Sequence, residues 1–159
     1  MFFKSSKLKN FLFVCCLYLA STAFSASYIP QTTAEMHKIN GVYTASRRNM
    51  HEEIASRIAA EGRSSSDPFI IVVGGAPGSG KTHFIQLIQE LGLVNANYFI
   101  QISADRLKEE IPEYHRQLRQ DKFRKIPFAA QHVHDESVDI RTLLFFHAVE
   151  INRNIILET

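Results

Sequence analysis

Gly75, Ala76, Pro77, Gly78, Ser79, Gly80, Lys81 and Thr82 spell GAPGSGKT, which satisfies G-x-x-x-x-G-K-[ST] in full. Each part of the pattern has a chemical task. The glycines let the backbone turn back so that successive N–H groups point at phosphate oxygens. A helix starting at the loop adds its N-terminal dipole toward the same anion. Lys81 would reach the β- and γ-phosphates, and Thr82 would ligate Mg2+ through its hydroxyl. The pattern predicts a nucleoside triphosphate, ATP or GTP, as ligand. A glycine-rich strand–helix turn that binds nothing is the bland alternative. The flanks weigh against it, because the apolar run FIIVVGG precedes the loop and an amphipathic stretch follows it.

The loop alone does not say where the phosphate goes. The next informative acid is Asp105, just past the strand candidate NYFIQIS. Open α/β sheets place their ligands on that rim. A carboxylate facing the γ-phosphate can accept a proton from an attacking hydroxyl. Asp is also favoured as a helix N-cap, and position by itself leaves both roles open for Asp105.

The elements that must hold these residues alternate. RRNMHEEIASRIAAEG reads as an amphipathic helix with Met50, Ile54 and Ile58 on one face and Gly62 as its stop. Residues 69–74 read as a strand buried on both faces. Residues 81–91 read as a helix burying Phe84, Leu87, Ile88 and Leu91, ended by Gly92. Strands at 98–103 and 154–159 flank an exposed helix at 113–125 and a second helix at 135–153. That second helix is expected to bury Ile140, Leu143, Leu144, Ala148 and Ile151. Phe123, Phe128, Phe145 and Phe146 are core by default. The order predicts an α/β fold, a P-loop-type parallel sheet with flanking helices and about three strands. His132 and His134 suggest a metal, but on a helix residues two apart diverge. A polar helix start with Asp135 and Glu136 at its positive end explains the segment without one.

The 159 residues are 45% hydrophobic and 21% charged, an ordinary globular composition. Of the net charge of +2, residues 1–25 hold Lys4, Lys7 and Lys9 and no acid, so the remainder is close to neutral and gives no reason to expect nucleic acid. Residues 106–125 hold seven Lys/Arg against four Asp/Glu, which reads as a solvated helix face more readily than as an anion patch. The basic start, the apolar run FLFVCCLYLA, and the small Ala23 and Ser25 read as an export signal cut after Ser25. Both cysteines, Cys15 and Cys16, lie inside it, so a mature chain has no thiol chemistry. Cleavage leaves no stable membrane span and places the chain in a periplasm or in a target cell. A misassigned start codon would leave it cytoplasmic. The chain divides into 1–25 as signal, 26–66 as a helical segment and linker, and 67–159 as the phosphate-binding core.

GGAPGSGKT, FIQISADRLKEEIPEY, AAQHVHDES and NRNIILET, in that order, resemble the zeta-toxin family of P-loop kinases across roughly residues 69–159. The resemblance implies an ATP-dependent phosphotransferase that acts on the 3′-hydroxyl of the amino sugar in UDP-N-acetylglucosamine, with an antitoxin-like partner. It makes Asp105 the base, Glu136 the acid that contacts the sugar nucleotide, and Glu158 an acid near the metal. Ser103 stands where many members carry a further acid. The family's lid arginines lie well downstream, and this chain has none beyond Thr159. On this reading Thr159 is a broken end, and the chain alone is expected to be marginally stable and inactive. The alternatives are a P-loop kinase for another small-molecule or nucleic-acid hydroxyl, and a non-catalytic nucleotide-binding or interaction remnant.

Overall fold

Three β-branched runs pair in parallel to form the sheet. A computed structural model describes residues 31–76, 78–122 and 127–159. The export-signal reading of 1–25, Pro77 of the loop, and Phe123 lie outside the described residues. The strands are β3 (Ile70–Val73), β4 (Phe99–Ile102) and β5 (Asn154–Glu158), in the order β3-β5-β4. The register sets Ile70 opposite Ile155 and Val73 opposite Glu158 on one side, and Ile100 opposite Ile155 on the other. The last strand therefore lies at the centre, and the alternating α/β architecture read from the sequence is the one observed.

Alternation along β5 splits the interior in two. Ile155 joins a larger cluster with Ile54, Ile58, Ile100, Ile102, Leu107, Ile140 and Leu144. Ile156 faces the other way, onto Val73, Ile85, Ile88 and Val94. The larger face is built by α2 (Ala45–Ala59), α4 (Ala104–Glu109) and α7 (His134–Glu150), with α2 and α4 both lying on α7. The smaller face rests on α3 (Lys81–Glu90). The helix α5 (Pro112–Asp121) ends at Asp121, which accepts from the amides of Phe128 and Ala129 at 2.7 and 2.6 Å and so seats α6 (Ala129–His132).

Several expectations change on this scaffold. β3 is not buried on both faces: it is an edge strand whose Ile70 and Val72 are exposed, as is Phe69 just before it. In α3 the buried pair is Ile85 and Ile88, while Phe84, Leu87 and Leu91 face outward. Ile151 caps α7 and is exposed, as is Phe146. Gly92, at φ 69°, does end α3. Gly62 has a different role from the expected helix stop. A Cβ there would lie 2.6 Å from the Ile100 side chain, so the linker after α2 crosses β4 too closely for any side chain.

Ahead of α2 the chain forms α1 (Thr33–His37) and a short hairpin, β1 (Lys38–Ile39) and β2 (Val42–Tyr43). A capping box between Thr32 and Glu35 starts α1. Asn40 and Gly41, both at positive φ, make the hairpin turn. Among the described residues, no helix is long and apolar enough to cross a membrane.

Candidate functional site

The phosphate loop joins β3 to α3 at the C-terminal rim of the sheet. Its base is pinned by backbone bonds to the end of β5, from Thr159 N to Val73 O at 3.1 Å and from Gly75 N to Thr159 O at 3.3 Å. Ser79 N returns to Ala76 O at 3.1 Å and closes the turn. Gly80 sits at φ 86° as the N-cap of α3, with no side chain to cap the helix. The first amides of a ten-residue helix therefore open into the loop without an internal acceptor, the arrangement that attracts an anion. Lys81 reaches back over the loop, its Nζ 2.6 Å from Gly75 O and 3.1 Å from Ala76 O. Thr82, one residue into the helix, is exposed.

Asp105 lies across the rim from this loop. Ser103, not Asp105, is the N-cap of α4 and accepts from Arg106 N at 3.2 Å. That leaves the Asp105 carboxylate without a capping duty, with 90% of its side chain exposed and one partner, Lys108 Nζ at 2.7 Å. The Lys108 hydrogen bond holds the carboxyl below its usual range against partial burial, and the charges of Lys81 and His134 act in the same direction. Asp105 is thus ionised at neutral pH and lies in the field of the loop lysine. Glu158 ends β5 beside Val73 and is nearly buried, its Oε1 accepting from Gln101 Nε2 at 2.6 Å.

Glu136 stands elsewhere. It begins α7, has no exposed surface, and accepts from Arg47 Nε, from Arg47 Nη2 at 2.9 Å and from His51 Nε2 at 2.6 Å. Arg47 also forks onto Glu113 at 2.8 and 3.1 Å. Burial alone would raise the Glu136 carboxyl, but the bonds from His51 and Arg47 outweigh it and hold the group at about 2. The structure thus joins Gly75, Gly78, Ser79, Gly80, Lys81, Thr82, Asp105 and Glu158 on one rim. Glu136 is enclosed behind it, in contrast with the substrate contact that the resemblance implies.

Sequence reading missed Arg47, His51 and Glu113, which lie 66 to 89 positions from their partners. It also missed the hairpin, although Asn40-Gly41 is a strong local turn signal. Thr32-x-x-Glu35 likewise signals the start of α1. Among the described residues, no three His, Cys, Asp or Glu side chains converge in a way that would hold a metal by themselves.

The zeta-toxin family profile matches residues 52–159. Among solved structures, one from a characterisation of the PezAT chromosomal toxin–antitoxin system of Streptococcus pneumoniae superposes with a TM-score of 0.56 at 18% identity. The match covers 74% of this chain and 47% of that one, so this chain spans about half the length of its solved relative. At that identity the likeness is one of fold. No curated protein matches.

Proposed function

The chain belongs to the zeta-toxin family, and on that premise we propose an ATP-dependent kinase that passes the γ-phosphoryl to a hydroxyl of a UDP-amino sugar, UDP-N-acetylglucosamine. The observation that carries the reading is the placement of Asp105. It is an ionised, exposed carboxylate on the same rim as the phosphate loop, within the electrostatic reach of Lys81.

In this mechanism the loop amides and Lys81 hold the β- and γ-phosphates, and Lys81 exchanges its two carbonyl partners for phosphate oxygens. The acceptor hydroxyl gives its proton to Asp105 as its oxygen bonds to the γ-phosphorus. The bond from that phosphorus to the β,γ-bridging oxygen breaks, and ADP leaves with the electron pair. The Thr82 hydroxyl and the Glu158 carboxylate are hard oxygen donors at the ends of adjacent elements, which suits Mg2+. When bound, the ion neutralises charge on the phosphates. Glu136, locked behind Arg47 and His51, orients the start of α7 on the acceptor side. The solved relative comes from a toxin–antitoxin system, and an antitoxin-like protein is the partner we extend to this chain.

The test is ATP consumption by the whole chain with UDP-N-acetylglucosamine, run beside aminoglycosides and nucleic-acid 5′ ends as competing hydroxyls. Asp105→Asn should lower transfer by about a thousandfold while ATP affinity changes by less than about twofold. Retained turnover in that variant would remove Asp105 as the base. ATP binding without transfer to any acceptor would favour a nucleotide-binding interaction module, a reading to which the exposed apolar edge of β3 gives some support.

A further inference from the structure

One guanidinium at the end of the central strand is held there without an anion. Arg141 lies on α7 and donates from Nη1 to the carbonyl of Glu158 at 3.3 Å. That carbonyl shares a peptide group with the N–H of Thr159, which donates to Val73 O at 3.1 Å. In a planar trans peptide the N–H and the C=O point to opposite sides. The N–H points to β3 and the phosphate loop, so the carbonyl, with Arg141 on it, points to the side of β4. There β4 has already turned away: it ends at Ile102, opposite Leu157, and Ser103 caps α4. Arg141 therefore stands between the end of β5 and the turn that leads into Asp105.

The same strand end meets the loop on its other side, where Thr159 O accepts from Gly75 N at 3.3 Å. Because β5 lies between β3 and β4, a phosphoryl group moving from the loop toward Asp105 crosses the end of β5. Lys81 approaches that path from the loop and Arg141 from the opposite side.

The state of the side chain suits a phosphate. Arg47, Arg57 and Arg106 are each paired with a glutamate. Arg141 has only the neutral Glu158 carbonyl, and no carboxylate among the described residues lies within ion-pair distance of it. The nearby Glu158 carboxylate is taken up by Gln101 at 2.6 Å. Among the described residues no buried side-chain nitrogen lacks a partner, so the unbonded N–H groups of this half-buried arginine reach solvent. A guanidinium is a planar, charged fork with five donors, the geometry that grips phosphate oxygens in pairs.

We propose that Arg141 is a γ-phosphate contact: it distinguishes a nucleoside triphosphate from a diphosphate and neutralises charge on the phosphoryl group in transit. The second role rests on the kinase reading, whereas the first requires only that the loop bind a nucleotide. Arg141 makes and breaks no covalent bond in transfer. It donates hydrogen bonds to the non-bridging oxygens while the bond to the β,γ-bridging oxygen opens.

The experiment is equilibrium titration of the whole chain with ATP and, separately, ADP, both with Mg2+, in the wild type, Arg141→Gln and Arg141→Lys. Arg141→Gln removes the charge and should weaken ATP by at least about tenfold while ADP changes by less than about twofold. Arg141→Lys keeps the charge, loses the fork, and should weaken ATP alone by about threefold. A role confined to bracing the Glu158 carbonyl would act on the whole loop and lower both affinities together. Equal losses, or an unchanged ATP affinity in both variants, would overturn the assignment and leave the kinase reading to its own assay. Retained ADP binding reports a folded site; if Arg141→Gln does not fold, the ATP-to-ADP ratio of Arg141→Lys decides in the same way. A wild-type chain that binds neither nucleotide would overturn both readings. Loss of ATP preference in Arg141→Gln, in a chain that phosphorylates no acceptor, would uphold Arg141 as the γ-phosphate contact and remove the kinase reading.

Discussion

The two faces of the sheet are held by different means. On one face thirteen buried residues join α2, α4 and α7 to β4 and β5, and Arg47, His51 and Glu136 lock the N-terminal segment over them. On the other, five buried residues hold α3 against β3 and β5, and Phe84, Leu87, Leu91, Ile70 and Val72 remain in solvent. Asp105, the proposed base, stands on the well-packed side and the phosphate loop on the thin one. On the proposed mechanism, the well-packed side would fix the geometry of the carboxylate that accepts the proton. The loop side depends on backbone bonds to β5 and gains most from whatever binds it.

The largest effect expected from breaking this contrast is at Glu136. Glu136→Ala leaves Arg47 and His51 buried without their carboxylate and should cost about 3–5 kcal/mol in urea unfolding. A cost below about 1 kcal/mol would mean the ion network does not secure the N-terminal segment on this face. The pH dependence is next in size. The folded Glu136 group, at about 2, lies below its ordinary value of 4.5, so its contribution is present above 4.5 and lost as pH falls toward 2. That loss should amount to about 3 kcal/mol, and Glu136→Gln should flatten this part of the stability profile. A smaller difference separates the two cores. Ile140→Ala, in the larger cluster, should destabilise by about 3 kcal/mol, and Ile88→Ala, on the thin side, by about 2. Equal costs would show that α3 is as firmly seated as α7. Least of all, Leu91→Lys on the exposed face of α3 should change stability by under about 0.5 kcal/mol. A larger loss would show that this face is covered in solution.

The same division separates what local sequence shows from what it does not. The phosphate loop, the three strands and the helix after the loop are legible because each rests on neighbouring residues: glycines at fixed spacing, β-branched runs, a 3.6-residue period. Periodicity reports that an apolar stripe exists, not that anything lies over it. The stripe Phe84, Leu87, Ile88 and Leu91 is therefore expected inside, whereas of these only Ile88 is buried, beside Ile85. The Glu136 network depends on pairs far apart in the chain, and a carboxylate four positions before the apolar Ile140 carries no local sign of Arg47. Asp105 was legible as a rim residue, but its freedom from capping depends on Ser103, the residue that departs from the family pattern.

The central place of β5 also governs the order of assembly. β3 and β4 do not pair with each other; among the described residues each pairs with residues 154–158. While the chain emerges from the ribosome, neither strand can find this partner until residues 154–158 have left the exit tunnel. Two apolar strands must wait unpaired until then, and these three strands join in one step. Local helices can gather earlier, whereas the phosphate loop, tied to Thr159, can be pinned only after that residue has emerged.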